Sequence, residues 1–131
     1  METFELEAEV RAALIDNADL MSVLPSGERA IYHNVAPSTD PANYPIIVYS
    51  PISDVPALSG DNRELEHRVT IRIHVIASQK RYAADERNFI AAIKLVREIM
   101  TGLNFSRRQT VPYIEDGKIM RILDFEKGVE S

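Results

Sequence analysis

Residues 64–77 alternate almost without a break. Leu65, Val69, Ile71, Ile73 and Val75 are apolar, while Glu66, Arg68, Thr70, Arg72 and His74 between them are polar. A period of two belongs to a strand with one face buried and the other wet. At about 3.3 Å per residue the run can span ~40 Å, long against a usual strand of about five or six residues. It predicts a strand that carries a hairpin past the body of the domain.

Elsewhere the period changes. Leu6, Val10, Ala13 and Leu14 recur at helical spacing, with Glu5, Glu7, Glu9 and Arg11 between them, and predict a helix over 3–16. The early glutamates suit the positive end of its dipole. A short helical turn follows over Asp19–Leu24, until Pro25-Ser26-Gly27 breaks the chain. Tyr82, Phe89, Ile93, Val96 and Met100 mark the buried stripe of the main helix, 81–101, closed by Gly102.

The remaining apolar runs are short. Ala30–His33 reads as a strand, and so does Ile46–Ser50, fenced by Pro45 and Pro51. Proline is tolerated at the first residue of a strand, and inside one it marks an end, a bulge or an edge. Residues 52–62, with Pro56 and Gly60, read as a long connection or the tip of an extended hairpin. Two closing strands, Arg108–Ile114 and Lys118–Phe125, flank the tight-turn signal Glu115-Asp116-Gly117. Met120, Ile122 and Phe125 are expected to point inward.

Strands joined in sequence by short connections favour an antiparallel sheet, and two main helices can cover only one of its faces. The expected fold is therefore a single α+β domain over residues 1–131. Its antiparallel sheet carries both helices on one face and a long projecting hairpin. The other face must be solvated or must meet a partner.

Composition narrows the function. The chain has 131 residues, 45% of them hydrophobic, and no cysteine, which excludes disulfides, thiolate metal sites and a cysteine nucleophile. The N-terminus lacks the pattern of a signal peptide, and no apolar run approaches the ~20 residues of a membrane span. A soluble cytoplasmic product is expected. A net charge of −5 argues against a dedicated nucleic-acid binder.

No phosphate-binding glycine loop, nucleophile elbow or zinc-protease motif is present. His67 and His74 lie an odd distance apart in one strand and point to opposite faces, so they cannot share a metal there. The paired carboxylates, such as Asp85 with Glu86, read as solvated charge. No catalytic residue, metal or cofactor is expected. Arg68, Arg72 and His74 share the wet face of the long strand, with Arg107, Arg108 and Arg121 close by in sequence. They read as a solvated sheet face, as an interface whose arginines fork onto a neighbour's carboxylates, or, ranked last for want of interleaved exposed aromatics, as a nucleic-acid surface.

The order of elements resembles that of a family of small phage and prophage proteins, the tail completion or head–tail joining proteins. The resemblance rests on Leu14, Asp19, Leu20 and Leu24; the short strand Ala30–His33; the loop Val35–Asn43; and the signature Tyr44-Pro45-Ile46-Ile47-Val48-Tyr49. The long strand ending Val75-Ile76-Ala77-Ser78 and the helix after it complete the pattern, over about residues 3–126. The final hairpin departs from the family pattern.

The resemblance implies a tail terminator-like fold and a non-enzymatic role. Subunits would form a homo-oligomeric ring, typically hexameric in the family, that caps the tail tube protein and offers a docking surface to the head connector protein. DNA would pass through the lumen without specific binding. The site would be the host cytoplasm during assembly, then the head–tail interface of the virion. The expected interface comprises Arg68, Arg72 and His74 with Tyr44, Pro45, Asp54 and Asp61, and the loop 35–44 and the projecting hairpin around 50–68 would contact neighbouring subunits, the tail tube or the connector. The competing reading is a small α+β ligand-binding or regulatory module, or a small enzyme, with a pocket between helix and sheet.

Overall fold

The computed structural model describes residues 2–36, 39–60 and 63–130. Three helices, α1 (Thr3–Asp16), α2 (Ala18–Val23) and α3 (Tyr82–Gly102), accompany five strands. The strands are β1 (Ile31–His33), β2 (Ile46–Gly60), β3 (Arg63–Ser78), β4 (Ser106–Glu115) and β5 (Lys118–Glu130). They form one sheet in the order β1-β2-β3-β5-β4. The α+β class expected from the sequence is the class observed.

The junction of α1 and α2 is set by a local cap. The Asn17 side chain accepts from the Leu20 backbone N–H at 2.8 Å, so it caps α2 and ends α1 at the same residue. At the C-terminal end of α3, Leu103 N–H closes onto the Ile99 and Met100 carbonyls and Asn104 turns the chain with a positive φ of 67°.

The sheet departs from expectation in one respect. It is mixed, because β1 runs parallel to β2, pairing Ile31 with Ile47 and His33 with Tyr49. Parallel neighbours need a crossover, and the connection over 34–45 is long enough to supply one. The other pairs are antiparallel: β2 with β3, β3 with β5, and β5 with β4. β3 and β5 hold an unbroken register from Glu66↔Glu130 to Ser78↔Lys118.

The core lies between the helices and one sheet face. Val69, Ile71, Ile73 and Val75 of β3 are fully buried there. So are Leu6, Val10 and Leu14 of α1 and Val96 and Met100 of α3. Leu123 and Phe125 of β5 complete the same layer opposite Ile73 and Ile71. Residues directly opposite in an antiparallel pair share a face, so Met120 and Ile122, opposite Ile76 and His74, lie on the other side of the sheet. The expected inward trio is thus split, since alternation puts 120 and 122 against 125.

The prolines have a specific place. β2 continues through Pro51 and Pro56, and the register with β3 shifts directly after each of them, between Pro51 and Ser53 and between Pro56 and Leu58. Among the described residues, β1 covers the outer side of β2 only at Ile47, Val48 and Tyr49. Both prolines therefore sit on the uncovered edge, where each removes a donor and accompanies a bulge. Both features discourage unplanned strand pairing.

Candidate assembly surface

The sheet face turned away from the helices carries three of the residues singled out in the sequence. Arg68, Arg72 and His74 project from β3, and register places Glu126, Asp124 and Ile122 of β5 near them. β4 adds Gln109, opposite Asp124. The result is a polar network across three strands.

At its centre, Arg72 grips Asp124 with two parallel bonds, Nε–Oδ1 at 2.8 Å and Nη2–Oδ2 at 3.0 Å. Gln109 donates to the same Oδ2 from 2.7 Å. The Asp124 side chain is 5% exposed and that of Arg72 35%. The Arg72 bond holds the Asp124 carboxyl below the usual carboxylate range against the opposing effect of burial, with Gln109 helping. The same bond raises Arg72. Next along the strand, Glu126 lies between two arginines, Arg68 at 3.1 Å and Arg108 at 3.4 Å. Arg108 stands at the register shift between Arg107 and Gln109, which lets its side chain reach back over the sheet.

The expectation that Arg68 and Arg72 await a neighbour's carboxylates therefore acquires a second side. Within the chain they already hold Glu126 and Asp124. Sequence reasoning missed those acids. Their shared parity in β5 was visible, but their register against β3 was not.

His74 sits beside this network in a shallow pocket of about 200 Å³, lined with Asn34, Ala36, Val48, Ile76 and Met120. Burial, then the neighbouring Arg72, pushes its imidazole below the ordinary histidine value, and Asp124 only partly offsets them. Its Nδ1 is buried with no hydrogen-bond partner among the described residues. Ile76 and Val48 are buried although they lie outside the helix-covered core. The start of the loop after β1 packs there through Ala36, so this end of the face is apolar rather than wet.

The other expected site residues are dispersed. Tyr44 is buried in the core and joined to Pro45 by a cis peptide bond. Asp54 lies on the helix side, where Thr3 Oγ1 donates to Oδ2 and His67 Nδ1 lies 2.6 Å from Oδ1. Thr3, then His67, lowers the Asp54 carboxyl in spite of some burial. Asp54 thus ties the start of α1 to β2. Asp61 lies outside the described residues. His67 and His74 do face opposite sides, as their odd spacing requires. Among the described residues no group of three or more histidines and carboxylates could hold a metal, and no helix is long and apolar enough to cross a membrane.

No protein-family model matches the sequence, and no curated protein matches it. A solved structure does. The chain is similar to one in the virion of a native gene transfer agent particle, with a TM-score of 0.68 and 20% identity. The match covers 96% of this chain and 95% of that one. At that identity the likeness establishes the fold. It spans the whole arrangement, including the final hairpin that departs from the tail completion pattern.

Proposed function

We propose that this chain is a non-enzymatic structural protein of a phage-like virion, acting as a ring subunit at the end of the tail tube. There it terminates the tail or joins it to the head. The observation that carries this reading is the likeness in fold, end to end, with a chain of a gene transfer agent virion. The element order that resembles tail completion proteins supports it independently.

The chemistry of the surface agrees. Asp124 and Glu126 are each held by two cationic or amide donors, as suits carboxylates that stiffen a surface. The uncovered edge of β2 is blunted by Pro51 and Pro56, which keeps association to chosen contacts. The tail tube protein and the head connector are the proposed partners. The segment 50–68, with Asp54, Asp61 and Arg68, is the proposed contact region, together with Arg72, His74, Tyr44 and Pro45.

The test is electron microscopy of particles from an induced host lacking this gene. Filled heads beside detached tails, or tails of irregular length, are expected, with whole particles restored by purified protein. Normal particles without the gene would overturn the assignment.

A further inference from the structure

The charge of the chain is unevenly placed. Residues 1–30 hold seven acidic and two basic side chains, a balance of −5 that equals the net charge of the whole chain. The remainder is neutral overall. Along α1 and its N-cap residue Glu2, the exposed acids Glu2, Glu5, Glu9 and Asp16 fall in one stripe with Ala12, at successive steps of 3, 4, 3 and 4 residues. None of the four has an ion-pair partner among the described residues.

A second stripe with the same rhythm runs along the solvent side of α3. Arg87, Ile90, Lys94, Arg97 and Thr101 are exposed at steps of 3, 4, 3 and 4. The three cations have no ion-pair partner among the described residues. Glu86 and Glu98 flank the stripe one residue away. Ile90, between Arg87 and Lys94, is an exposed large hydrophobic residue, 41% accessible. Lys94, Arg97 and Thr101 also border a surface recess with Glu98 and Gly102.

We infer that α1 of one copy docks antiparallel on α3 of the next. This rests on the reading that copies of the chain associate. Steps of three and four keep each stripe on one side of its helix over about 21 Å. In the antiparallel alignment Asp16 meets Arg87, Ala12 meets Ile90, Glu9 meets Lys94 and Glu5 meets Arg97. Every cation finds an acid, and the apolar residue finds the small one. The parallel alignment leaves Arg97 against Ala12 and Ile90 against Glu5. The contact joins two different surfaces, so it is heterologous and can propagate from copy to copy or close into a ring.

Charge exchange tests the contact. One variant carries E5K, E9K and D16K, and the other carries R87E, K94E and R97E. All six positions are exposed and outside the core, and circular dichroism checks that each variant folds. Sedimentation velocity at low ionic strength, where such contacts are least screened, is expected to show wild-type self-association. Each variant alone should associate at least about 100-fold more weakly, because attraction becomes repulsion. An equimolar mixture should recover it. Variants that associate like wild type would overturn this contact while leaving ring formation intact. A wild-type protein that stays monomeric at low ionic strength would also overturn the contact, and the particle assay above would still judge the tail role separately.

Discussion

Arg72 and Asp124 form a pair whose two halves have unequal access to water, and that inequality predicts unequal mutational costs. Arg72→Ala strands a carboxylate that is 5% exposed, with the Gln109 amide as its remaining side-chain partner among the described residues. Removing one partner of a buried pair costs about 3–5 kcal/mol. Asp124→Ala instead strands a guanidinium that is 35% exposed and can turn toward solvent, so its cost should be nearer 1–3 kcal/mol, roughly that of an unmade charged hydrogen bond. The double variant removes both charges and should recover about 2 kcal/mol of the summed single losses. Urea unfolding with an unchanged slope measures all three.

The pH dependence adds a check on sign. In the wild type the Asp124 carboxyl lies below the ordinary aspartate value of 3.8. Its contribution is therefore complete above that value and is lost as pH falls through the lower folded value. In Arg72→Ala burial would instead raise the carboxyl, and protonation would relieve the stranded charge. The gap between wild type and Arg72→Ala should then narrow toward acid pH. A larger loss in Asp124→Ala than in Arg72→Ala, or a coupling below about 0.5 kcal/mol, would refute the reasoning.

The remaining predictions concern His74 and the final turn. The His74 imidazole is lowered from 6.5, so the unfolded chain takes up its proton first as pH falls, and stability should drop progressively below that pH. His74→Gln should flatten that part of the profile, as read from urea midpoints between about pH 5 and 8. An unchanged slope would remove His74 from the account. At the β4–β5 turn Asp116 and Gly117 both have positive φ, 49° and 73°, and open space surrounds the glycine. Gly117→Ala should therefore cost about 1 kcal/mol through the backbone alone, measured as a shift in the unfolding midpoint.

Much of the fold was legible because it is local. The period of two over 64–77 and the stripe from Tyr82 to Met100 each report one element's own geometry, and β3 and α3 follow them closely. The ends were less legible. Pro51 was open to reading as a terminus, whereas β2 runs through it, because pairing with β3 resumes after a bulge. The opposed faces of His67 and His74 also followed from spacing alone.

The candidate surface was legible only in half. That Arg68, Arg72 and His74 share a face is a property of one strand. That Asp124, Gln109 and Glu126 stand against them depends on β5 inserting between β3 and β4 in a fixed register. A shift of one residue would have sent those acids to the opposite face.

The sequence by itself therefore determined the type and order of the main elements and which residues of one strand or helix share a face, since these follow from neighbours along the chain. The tertiary structure alone decided the parallel placement of β1, the order of strands and the partners of Arg68 and Arg72, because register and order are set by contacts between residues far apart in sequence.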